Sequence, residues 1–302
     1  MQRASESAGK TVDALEGSRM ANETHPCRHT PAFAARDLEE PKLVFMHIPK
    51  TGGTTLHHLL INSFDKEEVC PERFNGLRHY RAGELARYRY FSGHFDLPSV
   101  RLIPGRKRVI TMLREPVARL ISLYYFLRSY KPAIIETDQL ELARLANQYA
   151  MADFFRAREV RSHAAVNNAM TRVLIDTIAV DRWEGKSGDA LADCRPFLQL
   201  AIRELESLDA FGILERYDDS VELICQSIGF NKPAKVKPMQ VLEVIMDTEP
   251  GLKRIEKEPV TEEIRREIRS VAETDIEFYR HASKVFENRL SLLRRRNAPA
   301  RI

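Results

Sequence analysis

The stretch HIPKTGGTTLHHLL, residues 47–60, sets Lys50, Thr51, Gly52, Gly53, Thr54 and Thr55 between an apolar run and an amphipathic one. Those residue types in that order can hold an anion. Glycines let the backbone close on an oxyanion, and the first N–H groups of a following helix have no intrahelical acceptor. Lys50 adds a point charge and the threonines add hydroxyl donors. The pattern is not G-x-x-x-x-G-K-[ST], because here the lysine precedes the glycines. Gly185-Lys186-Ser187 lies in an irregular loop and lacks the upstream glycine. The plain alternative is a tight turn that happens to be polar.

A second stretch, LREPVARLIS, puts Arg114 at the end of an apolar run and Ser122 eight residues later. An arginine there can clamp a phosphate bidentately while the serine hydroxyl donates to it. The alternatives are an Arg114–carboxylate pair and a solvated Ser122. Two anion sites on neighbouring strand ends suit a nucleotide with well-separated phosphates, such as an adenosine phosphorylated at both its 3′ and 5′ positions.

The elements that must position these groups follow from periodicity. KLVFMHI reads as a buried strand, and TTLHHLLINSF sets Leu56, Leu59, Leu60, Ser63 and Phe64 on one helical face. YRYFSGHFDL is a second strand candidate, and RVITML is a third, stopped by Pro116. In VARLISLYYFLRSY, Val117, Leu120, Ile121, Tyr124 and Tyr125 share one face, with Glu115, Arg119 and Ser122 opposite. A fourth strand spans residues 211–214, before a helix read as capped by Asp218-Asp219-Ser220. Residues 133–206 read as a mostly helical insertion, and the last helices begin at a Thr261 cap.

Residues 1–40 are expected to be a disordered polar tail, and 41–302 a single α/β domain. Alternating strands and helices predict a mainly parallel, doubly wound sheet of about four or five strands with a P-loop-like phosphate loop. Ligand then belongs at the carboxyl ends of the strands.

Composition narrows the function. A hydrophobic fraction of 43% supplies a core, and a net charge of +4 excludes a nucleic-acid-binding polycation. Basic charge is uneven, however. Arg101, Arg106, Lys107, Arg108, Arg114, Arg119, Arg128 and Lys131 face only Glu115 within residues 98–131. Such a field draws anions. Cys27, Cys70, Cys194 and Cys225 are scattered, read as reduced thiols, and point to a cytoplasmic protein without a metal site. No run approaches the roughly 18–20 apolar residues of a membrane span.

The motifs resemble those of a known family. IPKTGGTTL resembles the 5′-phosphosulfate loop of the sulfotransferases, and MLREPVARLISLYYF resembles their 3′-phosphate strand–helix with its R-(x)7-S spacing. FSGHFDL is similar to the Gly-His element of the glycan-modifying branch, heparan sulfate 2-O-sulfotransferases in particular. FGILERYDDSVELI and DIEFYRHASKVFENRL resemble later blocks of that branch. The likeness runs in order over about residues 42–290, with the helical middle poorly matched.

The resemblance implies 3′-phosphoadenosine-5′-phosphosulfate (PAPS) as donor and transfer of a sulfuryl group to a hydroxyl of a carbohydrate or similar acceptor. It implies that Lys50 neutralises the leaving oxygen and that Thr51, Gly52, Gly53, Thr54 and Thr55 cradle the 5′-phosphate. Arg114 and Ser122 would hold the 3′-phosphate, and His94 would take the acceptor's proton. No metal is required, because the leaving group is already good. His57, His58 and Glu115 are rival bases, and His47 is read as core.

Several features stay open. Lys232, Lys235 and Lys237 suit either a donor or acceptor contact or a solvated loop. Arg73, Arg78, Arg81, Arg87 and Arg89 suit a glycan groove or an ordinary surface cluster, Trp183 suits a stacking or a core role, and RRRNAPARI reads as a frayed tail. The rival functions are an atypical nucleotide or small-molecule kinase and a non-catalytic nucleotide-binding protein. Without a membrane anchor, the expected substrate is a cell-surface or secreted glycan precursor met by a bacterial-type soluble enzyme.

Overall fold

A computed structural model describes residues 40–175, 193–231, 246 and 249–297. The expected tail apart from Glu40, the loop holding Trp183, Lys232, Lys235, Lys237 and residues 298–302 lie outside them.

The first strand, β1, spans Lys42–Met46 and leads through a short loop into helix α1, Gly53–Ile61. β2 is Tyr90–Gly93 and β3 is Lys107–Leu113. α2, Pro116–Arg128, follows, then α3, Glu141–Gln148, and α4, Met151–Arg156. α5 is Leu198–Ser207, β4 is Ala210–Ile213 and α6 is Tyr217–Ile228. α7, Glu262–Val271, and α8, Glu273–Asn297, complete the described chain.

The four strands form one sheet in the order β2-β1-β3-β4, and each neighbouring pair is parallel. Parallel strands are covered on both faces, which is why they read as continuous apolar runs. Val44, Met46, Leu113 and Phe211 pack on one face with Leu205, Phe278 and Phe286 of α5 and α8. Leu43, Phe45, Ile110 and Met112 pack on the other with Leu56, Leu60 and Ile224 of α1 and α6. Burying one such phenylalanine or leucine contributes roughly 1.5–3 kcal/mol.

Helix α2 departs from that pattern. Val117, Leu120, Leu123 and Tyr124 pack into a separate helical core with residues of α3, α4 and α7, including Leu142, Phe154 and Ile268. The helical stretch after β3 therefore supports the helix that carries Ser122.

Three local expectations are corrected. Arg119, expected on a polar face, is fully buried and donates to the Ala165 carbonyl at 3.1 Å, because a second helical layer covers that side of α2. Ser220 does not cap α6; it lies inside the helix, buried, with its hydroxyl bonded to both the N–H and the carbonyl of Ile213. The basic C-terminus is helical through Asn297, and Arg294 pairs with Asp219. The Thr261 cap is present, accepting from the Ile264 N–H.

Candidate functional site

Chain order runs from β1 outward to β2, and from β3 outward to β4. The sheet order therefore reverses between β1 and β3, and a cleft at the carboxyl ends of those strands is the expected place for a ligand in an open α/β sheet. The loop after β1 and the β3–α2 junction both lie at that point.

The first loop is tightly built. Gly52, at φ 80°, ends it and starts α1, and a Cβ there would stand 2.5 Å from Leu214 Cδ1. A Cβ on Gly53 would lie 2.3 Å from His47 Cδ2 and 2.8 Å from Phe45 Cζ. The Thr51 hydroxyl donates to the Ile48 carbonyl at 2.8 Å, tying the loop to itself. Lys50 is left-handed, at φ 69°, which a side-chain-bearing residue adopts only under constraint. Thr54 and Thr55 fill the first turn of α1, nearly buried.

Lys50 is contacted from two sides. Arg114 Nη1 donates to the Lys50 carbonyl at 3.2 Å, and the Lys50 ammonium stands 4.1 Å from the centroid of the Phe126 ring on α2. Lys50, Arg114 and α2 thus meet at one place. Ser122 lies half-exposed on α2, one helical turn before Phe126. Burial pushes the Arg114 guanidinium below its ordinary value, and the charges of Glu215 and Glu115 oppose that shift.

Glu115 is not placed as a base. Its carboxylate caps α2, accepting from the N–H groups of Val117 at 3.1 Å and Ala118 at 2.7 Å. Glu215, just past β4, accepts from the Glu115 N–H at 3.0 Å and from the Tyr279 hydroxyl at 2.8 Å, so it links α8 to the arginine site.

His94 follows β2 directly. The His47 N–H donates to the Gly93 carbonyl at 2.8 Å, which continues the β1–β2 ladder past the strand ends. His94 Nδ1 then donates to the His47 carbonyl at 2.6 Å. A carbonyl can only accept, so this bond puts the proton on Nδ1 and leaves Nε2 basic. The His94 N–H donates to the Arg73 carbonyl at 2.7 Å, and Gly93 lets that strand approach, since a Cβ there would sit 2.5 Å from the same oxygen.

The rival histidines are differently placed. His57 is buried, with Nδ1 3.1 Å from the Tyr90 hydroxyl, under the sheet edge rather than at its tip. His58 is half-exposed on α1. His47 is buried, its ring 5.4 Å from that of Phe45 and 4.9 Å from that of His94. Arg73 donates to the Ser92 carbonyl at 2.5 Å, Arg78 lies 3.6 Å from Asp96, and Arg89 pairs with Glu40 at 2.5 Å. These three are engaged in holding the approach to β2.

The tertiary structure therefore brings Lys50, Arg114, α2 and the His47–His94 pair to the tips of three adjacent strands. Sequence reasoning missed Phe126, Glu215 and the carbonyl of His47. Glu215 carried a usable signal, its place immediately after a predicted strand. A backbone carbonyl carries none.

A family model described as the sulfotransferase family matches residues 36–282. A protein-tyrosine sulfotransferase of Arabidopsis thaliana is 33% identical over 86 residues, which is 28% of this chain and 17% of the relative's length.

Proposed function

The chain belongs to the sulfotransferase family, and on that premise we propose that it transfers a sulfuryl group from PAPS to a hydroxyl of a carbohydrate acceptor. One observation carries the reading. Arg114 and Lys50 bind each other across the reversal point of the sheet, while His94 is fastened to the entrance of the same loop. On this reading, the groups for the two phosphates and for the acceptor's proton share one site.

The residues fit the donor. The Cβ clashes at Gly52 and Gly53 keep the loop backbone bare, so its N–H groups can face the 5′-phosphate. Arg114 and Ser122 serve the 3′-phosphate, where a half-buried guanidinium binds charge more strongly than an exposed one. Lys50 opposes the negative charge that grows on the leaving oxygen, and such charge stabilisation is a large share of group-transfer catalysis. His94 Nε2 accepts the acceptor's proton, its tautomer held by His47. PAPS itself supplies the activated sulfuryl group.

The carbohydrate assignment rests on the FSGHFDL element and its likeness to the glycan-modifying branch. The Arabidopsis relative supports a second acceptor, a tyrosine phenol. A phenol, with a pKa of about 10, needs a base less than an alkyl hydroxyl does. The fixed His94 tautomer favours the alkyl hydroxyl.

The test is a thermal-shift comparison of adenosine 3′,5′-bisphosphate with AMP and with ATP plus Mg²⁺, followed by labelled-PAPS transfer to oligosaccharides and to tyrosyl peptides. Selective stabilisation by the bisphosphate and label on an oligosaccharide are expected. Preference for ATP would replace the reading with a kinase, and label on the peptides alone would replace the acceptor.

A further inference from the structure

We propose that Phe126 is a positioning residue for the Lys50 ammonium, and this rests on the reading of Lys50 as the leaving-group cation. One unit of the chain holds both ends of that lysine. Arg114, closing β3, takes its carbonyl at 3.2 Å, and Phe126, on α2, faces its Nζ at 4.1 Å from the ring centroid.

The ring is not a chance neighbour. Phe126 is 6% exposed and Lys50 is half-buried, so the ammonium meets the ring partly shielded from water, where an ordinary apolar neighbour would be costly. The π-face offsets that cost, and the attraction grows on desolvation. Tyr130, 1% exposed, meets the same ring edge-on at 5.3 Å and 74°, which fixes its orientation. Phe126 also lies one turn past Ser122. The ring therefore sets the ammonium against the same helical face that presents the serine. The left-handed backbone at Lys50 aims the side chain from the other end.

The test uses the full chain with Phe126→Leu and Phe126→Met, which keep apolar bulk without a π-face, and Phe126→Tyr, which keeps the ring. Folding is checked by circular dichroism. In the two ringless variants kcat falls about 3–30-fold, while affinity for adenosine 3′,5′-bisphosphate stays within about 2-fold; Phe126→Tyr restores wild-type turnover. A loss that was merely structural would instead lower stability and bisphosphate affinity together.

A second readout needs no turnover. At fixed pH, acylation of the Lys50 amine by an N-hydroxysuccinimide ester, followed by peptide mass mapping, speeds up about 3–30-fold in the ringless variants and not in Phe126→Tyr. Folded ringless variants that label at the wild-type rate would overturn the proposal, as would a folded Phe126→Tyr that behaves like Phe126→Leu. If the wild type transfers no sulfuryl group, the functional reading fails and the labelling rates still decide the role of Phe126.

Discussion

The Arg114 guanidinium, just past β3, donates to the main-chain carbonyl of Lys50, 64 positions earlier in the chain, in the loop after β1. The bond joins two motifs that the sequence shows only as separate features. The lysine whose carbonyl it holds sits in a left-handed conformation ordinarily left to glycine.

Removing that arginine should separate the two ends of the donor. In Arg114→Ala, adenosine 3′,5′-bisphosphate is expected to bind about 10–100-fold more weakly, the loss of a charge-assisted contact, and AMP far less so. Calorimetry on both nucleotides checks this. Equal weakening of the two would take Arg114 away from the 3′-phosphate.

Lys50→Ala should lower kcat by about 10²–10³-fold, as removing one preorganised charge donor does, with an unchanged melting temperature. Turnover near that of the wild type would show that charge on the leaving oxygen is met elsewhere.

For His94→Ala the expected loss of rate is about 10²–10⁴-fold with donor affinity spared. Steady-state kinetics paired with bisphosphate titration separates the two. A large loss of donor binding would move His94 from the acceptor side to the nucleotide side.

Gly53→Ala tests the packing under the loop. The new Cβ meets the His47 ring and Phe45, so overpacking should cost about 1–3 kcal/mol and lower the melting temperature by several degrees. Turnover should fall as well, because the His47 carbonyl orients His94. A variant that melts like the wild type would mean that the His47 ring swings aside freely.

His163 sets a pH dependence. Its Nδ1 accepts from the Ala165 N–H, and burial holds the imidazole down at about 4 against an ordinary 6.5. Above pH 6.5 the folded and unfolded chains are both neutral there. As pH falls from 6.5 towards 4, the unfolded chain takes up a proton that the folded one refuses, so stability drops, by roughly 2–3 kcal/mol in all. Melting temperatures of wild type and His163→Gln between pH 4 and 7 check this. The difference should shrink the wild-type advantage as pH falls, and a constant difference would contradict it. The turn involved also supplies the Ala165 carbonyl that Arg119 holds.

Much of the frame was legible. KLVFM, RVITML and the short run at 211 each pack on both faces, so bare apolar runs mark them as strands without any knowledge of their neighbours. Pro116 marks the start of α2 and Thr261 that of α7 through local chemistry alone. Arg119 could not be read this way. Helical spacing groups it with Glu115 and Ser122, and nothing local reveals the turn at 163–168 that covers it. Ser220 failed for a similar reason. Its short side chain suits a cap, and its partner is the strand tip at Ile213.

Spacing inside short segments was thus enough to mark the glycine-bearing loop, the Arg114–Ser122 interval and the Gly-His pair as candidates, because each depends on neighbours a few residues away. Packing in three dimensions alone gave the histidines their different surroundings and the Lys50 ammonium its neighbours. His94 acquires its tautomer from a carbonyl 47 positions away, and Lys50 acquires its direction from Arg114 and Phe126. Those bonds cross between strands and helices, and such crossings follow from sheet order and layer packing rather than from any pattern along the chain.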